Sequence, residues 1–154
     1  MVLSLATGLG AGLSPVAPGT VGALVGLALA WAVHWLTGSL VWQVVLLTVL
    51  CVLCVPVCSS AADFLGTSDP SQVVLDELAA QPFALLLVPF SGKSCVLAFL
   101  WFRLFDIWKP WPVCVAERLP KGWGIMADDI AAALLAAGTT FLSMRLGQQL
   151  GWWE

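Results

Sequence analysis

Two adjacent carboxylates, Asp128 and Asp129, stand at the mouth of a nearly unbroken apolar run over residues 130–142. One Asp at a helix start favours the macrodipole and can cap free N–H groups. A second beside it only adds repulsion, which grows where lipid lowers the effective dielectric. The pair therefore asks for a positive partner, and a hard divalent cation with further oxygen ligands is the chemistry that residue type suits. Asp76 and Glu77 are a second adjacent pair, preceded by Asp69, and a solvated connecting helix is the plain alternative for all three. Arg103, Asp106 and Lys109 recur at steps of three, which places them on one helical face ended by Pro110. They read either as surface ion pairs or as a guanidinium fork and an ammonium for phosphate oxygens, with Asp106 orienting one of them or binding metal. Six of the nine acids fall within residues 69–77, 103–110 and 124–129, and that economy favours one shared site. A third element is Pro18-Gly19-Thr20. Thr20 can cap the helix that follows, Gly19 allows close backbone approach, and a helix N-terminus attracts anions; an ordinary capped start to a membrane helix is the alternative.

The elements that must position these groups are membrane helices. The 154 residues are 60% hydrophobic and 10% charged, with nine tryptophans and seven phenylalanines. That is under half the charge of an ordinary soluble domain, and the aromatic rings suit the bilayer interface. The chain reads as one membrane-embedded domain, residues 1–154. A net charge of −3 argues against nucleic acid, which needs a basic face. The start lacks a basic n-region and is broken by Gly, Pro and Ser, so no cleaved signal peptide is expected.

Residues 3–20 are too rich in Gly and Pro for a continuous helix. Spans are expected over residues 21–36, 40–62 (kinked at Pro56) and 129–146. Apolar stretches 78–90 and 95–102 are each too short to cross about 30 Å of hydrocarbon. Parted by Ser91-Gly92-Lys93-Ser94, they read as a helical hairpin that dips in and returns. The fold class expected is all-α: an integral membrane bundle of about three full spans plus a short dipping hairpin. Residues 103–123 hold four of the six basic residues and three prolines, and read as a surface segment. The positive-inside rule places them in the cytoplasm. Counting spans from there puts every polar cluster on that same face, with the turn at 37–39 and the C-terminus opposite.

His34, alone of its kind, sits in mid-span and reads as a packed or hydrogen-bonded helix residue. Chemistry needing two histidines is thereby excluded. Cys51, Cys54 and Cys58 share a helical face inside an apolar run, which suits packing rather than metal. Cys95 and Cys114 imply no disulfide framework.

Taken in order, Ala17-Pro18-Gly19-Thr20, Val73-Val74-Leu75-Asp76-Glu77, Phe102-Arg103-Leu-Phe105-Asp106-Ile107-Trp-Lys109-Pro110-Trp-Pro112 and Gly122-Trp-Gly124-Ile125-Met126-Ala-Asp128-Asp129 resemble the phosphatidylglycerophosphatase A family over nearly the whole chain. The last two segments are the specific ones. The resemblance implies a helical membrane enzyme that hydrolyses the terminal phosphate of phosphatidylglycerophosphate, with Mg2+, in the bacterial inner membrane with its site facing the cytoplasm. It implies Asp76, Glu77, Asp128 and Asp129 as metal ligands. Arg103 and Lys109, with Pro18, Gly19 and Thr20, would receive the substrate, and Asp106 would join the catalytic set. The partner implied is an anionic phospholipid. Ala79-Ala80 and Ala131-Ala132-Ala133 stand where the family usually carries Gly, which alters close helix contacts rather than chemistry. A phosphatase for another lipid phosphate, such as a polyprenyl diphosphate, and a small non-enzymatic transporter with mid-membrane acids are the rival readings.

Overall fold

The computed structural model describes residues 1–152. All regular structure among them is helical: α1 (Val2–Ala6), a 3-10 segment (Gly8–Leu13), α2 (Pro18–Thr37), α3 (Leu40–Leu65), α4 (Leu75–Ala80), a second 3-10 segment (Gln81–Leu85), α5 (Gly92–Trp108), α6 (Val113–Ala116) and α7 (Gly122–Gln149). Three helices, α2, α3 and α7, are long and apolar enough to cross a membrane. The arm formed by α4 and the second 3-10 segment rises only about 20 Å, and α5 about 25 Å. These two are the expected short hairpin, turned at Ser91, whose hydroxyl accepts from the Ser94 N–H while Ser94 Oγ accepts from the Ser91 N–H.

Sequence punctuation explains the boundaries. Pro18 occupies the first turn of α2, where its missing N–H costs nothing. Gly38 and Gly66, both at positive φ, end α2 and α3. The start of the chain is broken at Leu9 and Gly10, also at positive φ, as its Gly content implies. Pro56 lies inside α3 as expected, and the carbonyl of Pro56 accepts from the Ser60 hydroxyl.

Four boundaries that bear on the site differ from the sequence reading, each toward a longer helix. Helix α2 begins at Pro18 rather than residue 21, so Thr20 sits inside the first turn, and no side-chain cap is made at this end. Helix α3 runs on to Leu65, because nothing breaks it before Gly66. Helix α5 continues to Trp108, so Arg103 and Asp106 lie on a packed helix end rather than in a surface segment. Helix α7 starts at Gly122, so Asp128 and Asp129 are well inside the helix and cap nothing.

The interior is built from small side chains. Ala132, Ala133 and Ala136 of α7 and Ala79 and Ala80 of α4 are fully buried, so helix axes approach closely, the usual basis of helix association in lipid. Helix α7 packs against α3, α4, α5 and the second 3-10 segment, and so carries its two carboxylates into the middle of the bundle. All five cysteines are free, and Cys51, Cys54 and Cys58 are buried. His34 stacks on Phe90 with ring centroids 5.4 Å apart, far along α2 from the acidic clusters.

Candidate active site

Four helix ends converge on one cavity of about 240 Å3. The start of α2 contributes Ala17, Pro18 and Gly19. The loop before α4 and α4 itself bring Asp69, Ser71, Val73, Asp76 and Glu77. Helix α5 and its C-cap supply Arg103, Asp106 and Lys109, and α7 supplies Asp128 and Asp129. All seven residues expected to be catalytic are therefore brought together, along with Pro18 and Gly19. Thr20 is not part of the lining.

Each side chain is held for an identifiable reason. Asp76 and Glu77 fall in the first turn of α4, where acids are favoured, and Asp76 Oδ1 accepts from the Glu77 N–H at 3.0 Å. Glu77 lies directly on the backbone of α2. A Cβ at Gly19 would come within 2.6 Å of Glu77 Cδ, and one at Gly22 within 2.9 Å of Glu77 Oε2. The glycines are thus a bed for this carboxylate. The Arg103 guanidinium joins α5 to α4, donating from one nitrogen to Glu77 Oε1 at 2.8 Å and to Asp106 Oδ2. Lys109 adopts positive φ as the C-cap of α5, and its N–H donates to the Phe105 carbonyl. That turn swings its side chain across to α7, where it donates to Asp128 Oδ2 at 2.8 Å, and to Glu117 Oε1 at 2.7 Å.

The charge balance is unequal. Among the lining residues, six carboxyls face two cations. Asp76, Asp128 and Asp129 are almost wholly buried, at 5%, 5% and 3% exposure. Glu77 Oε2 and Asp129 Oδ2 are buried without a hydrogen-bond partner. Burial, reinforced by the neighbouring Glu77, pushes the Asp76 carboxyl well above the usual range. Burial also lifts Glu77, to about 7, against the opposing pull of Arg103. Burial works to lower the Lys109 pKa, but its hydrogen bonds to Asp128 and Glu117 outweigh that and push it up, so it stays charged. Burying bare carboxylates is costly unless they are paired. The arrangement has a strong demand for a cation.

Its oxygen donors are of the type Mg2+ takes. Among the described residues no three acids, histidines or cysteines stand at ready-made ligand spacing. Mg2+ is usually held through one or two carboxylates, with waters and substrate oxygens completing six, so a pair suffices. Glu77 and Asp128 each already have an oxygen engaged by a cation. Asp129 Oδ2 is uncommitted, and Asp76 lines the same cavity with neither of its oxygens engaged by a cation. The donor set therefore fits the ion, with Asp76 and Asp129 as its most available members.

Residues 4–144 match the family model described as phosphatidylglycerophosphatase A. The chain belongs to the phosphatidylglycerophosphatase A family. It is 38% identical over 141 residues to the phosphatidylglycerophosphatase A of Escherichia coli, covering 89% of this chain and 80% of that one. It is 37% identical over 141 residues to the Haemophilus influenzae protein of the same name, covering 89% and 85%. A Bacteroides thetaiotaomicron relative, named as a candidate phosphatidylinositol-3-phosphatase, is 36% identical over 135 residues, covering 84% and 85%. No solved structure matches. Membership makes the chain a phosphatase, and the resemblance carried by its four motifs is correct.

Sequence reasoning left Glu117 out of the site, although it bonds Lys109 directly. It treated Asp69 only as a cluster neighbour, whereas Asp69 lines the cavity, 3.9 Å from the Lys109 ammonium. Glu117 lies in a segment without hydrophobic periodicity, and nothing in its spacing pointed to it.

Proposed function

We propose that this phosphatase removes the terminal phosphomonoester of phosphatidylglycerophosphate, yielding phosphatidylglycerol and phosphate as a step of glycerophospholipid biosynthesis. The observation that carries this reading is the cavity with six carboxyls and two cations at one end of three membrane-length helices. A headgroup phosphate lies at that depth while its acyl chains stay in the bilayer. The relatives' names supply the particular lipid. The four basic residues of segment 103–123, Arg103, Lys109, Arg118 and Lys121, favour the cytoplasmic side of a bacterial inner membrane by the positive-inside rule.

In this mechanism Arg103 and Lys109 grip the nonbridging phosphate oxygens, where charge must be stabilised during transfer. The buried Arg103 Nε–H, without a protein partner, is available for that task. Asp106 and Glu77 hold the guanidinium in place through one of its nitrogens. Asp76, Glu77, Asp128 and Asp129 would hold Mg2+, Glu77 and Asp128 being the two that already have an oxygen engaged by a cation. When bound, that ion supplies neutralisation of phosphate charge and acidification of a water. The water oxygen bonds to phosphorus, the ester P–O bond breaks, and the departing glycerol oxygen gains a proton. Direct water attack is the default, since Ser71 is the one hydroxyl among the lining residues and the lining includes neither Cys nor His; an aspartyl-phosphate route through one of the carboxylates is the alternative.

The deciding experiment offers the purified protein several lipid phosphates in mixed micelles and measures phosphate release. Phosphatidylglycerophosphate should be turned over fastest. Preference for phosphatidylinositol 3-phosphate would move this chain toward its Bacteroides relative, preference for a polyprenyl diphosphate would replace the substrate, and no release from any would return it to a transporter reading.

A further inference from the structure

Lys109 reaches the cavity from a helix C-cap on a long, flexible side chain. An ammonium placed that way loses much rotamer freedom when it must meet a phosphate at one point. Asp128, buried on α7, fixes it from one side at 2.8 Å. Glu117 fixes it from the other at 2.7 Å, and is itself about half exposed. Glu117 does not line the central cavity. It lines a neighbouring one, with Ser68, Lys121 and Ile125, that shares Asp69 and Asp128 with the central cavity. Two of the three ammonium protons are thus taken by Asp128 and Glu117. The third is left for the cavity, since Asp69 at 3.9 Å is beyond hydrogen-bond length.

A second observation fixes the backbone of Glu117. Gly124, in the first turn of α7, packs against the carbonyls of Glu117 and Leu119. A Cβ there would lie 2.7 Å from the Glu117 oxygen and closer still to that of Leu119. Val113, at the start of this strap, is fully buried. The strap is therefore seated on α7, and Glu117 is delivered to Lys109 from a defined position.

We propose that Glu117 is a positioning residue for the reaction: it orients the Lys109 ammonium toward the substrate phosphate, and Gly124 is the close-approach point that lets it do so. The proposal rests on Lys109 binding phosphate, as in the function above. Glu117 acts through Lys109 and touches neither substrate nor metal.

The test is a double-mutant cycle with purified, full-length protein and phosphatidylglycerophosphate in mixed micelles. Glu117→Ala should raise KM about two- to fivefold, the range of a half-exposed ion pair, with kcat changed far less. Glu117→Gln, which keeps an acceptor oxygen at the same reach, should recover much of the loss. In a Lys109→Ala background, Glu117→Ala should change nothing further. Competition of inorganic phosphate gives an independent readout, its inhibition constant rising in Glu117→Ala by the same factor. A lowered KM in Glu117→Ala would mean that Glu117 competes with phosphate, and would overturn the proposal. Full additivity with Lys109→Ala, or Gln behaving as Ala, would overturn it too. If wild type releases no phosphate, the functional reading itself fails; a KM effect absent in an active enzyme removes only Glu117.

Discussion

Replacing Gly19 by Ala adds one methyl group at the point where α2 meets the site. The new Cβ would meet Glu77 Oε1 first, closer than the 2.6 Å to Cδ and the 2.7 Å to Oε2, whereas ordinary contact begins near 3.4 Å. The Glu77 carboxyl must retreat by about 1.5 Å, the shortfall at Oε1. The clashing group is the end of a side chain, so the helices need not move, and the cost to folding stays near 1 kcal/mol. Ala is also the better helix former, which offsets most of that cost. The loss falls on the site. Glu77 Oε1 accepts from Arg103 at 2.8 Å, and this same oxygen is the one that the methyl displaces furthest, so the hydrogen bond is lost. A guanidinium freed by about 1 Å costs on the order of 10²-fold in rate, or about 2.7 kcal/mol of barrier. Phosphate release from phosphatidylglycerophosphate, measured alongside a melting curve, should show Gly19→Ala folded and about a hundredfold slower. Gly138→Ala on α7, where a Cβ meets nothing within 4 Å, is the control and should match wild type. A Gly19→Ala enzyme with unchanged kcat would refute the argument that Glu77 is held against α2 for the sake of Arg103.

Three further outcomes follow from the same geometry. Arg103→Lys should fail nearly as badly as Arg103→Ala in phosphate release, because an ammonium that replaces the one nitrogen bonded to Glu77 and Asp106 lacks the further planar donors, such as Nε–H, that the guanidinium keeps for phosphate; activity near wild type in Arg103→Lys would contradict this. Turnover should stop in excess EDTA and return with Mg2+, and full activity in the chelator would remove the metal from the account. Glu77 has its folded pKa raised from 4.5 to about 7. It binds more protons folded than unfolded between those values, so metal-free protein should lose stability as pH rises from about 4.5 to 7. Glu77→Gln should flatten that slope in thermal melts, and an unchanged slope would mean the titration lies elsewhere.

Much of this architecture is legible in residue order. Apolar length marks α2, α3 and α7, and two short apolar pieces around Ser91-Gly92-Lys93-Ser94 mark the hairpin. Acids and bases concentrated at segment ends mark one shared face, since isolated charges are costly in lipid. Helix ends were harder to read. Polar residues suggested that spans stop at 62 and 102 and start at 129, yet each helix runs on, because burial against neighbouring helices rather than hydropathy decides where a bundle helix ends. Asp128 and Asp129 are thereby lifted from a cap position into the interior. Thr20 looked like a cap, but Pro18 already begins the helix two residues earlier. The role of Gly19 and Gly22 as a bed for Glu77 depends on the α2–α4 crossing, and that of Glu117 on how the strap folds back over Gly124. Neither can be read from spacing along the chain.

The central claim is that carboxylates from α4 and α7 act together on a lipid phosphate. Asp129→Asn tests it most directly, since the change is nearly isosteric and targets a carboxyl whose Oδ2 has no protein partner. Measured as phosphate release from phosphatidylglycerophosphate under saturating Mg2+, the variant should insert and fold as wild type does yet fall to background. Turnover at the wild-type rate would contradict the account.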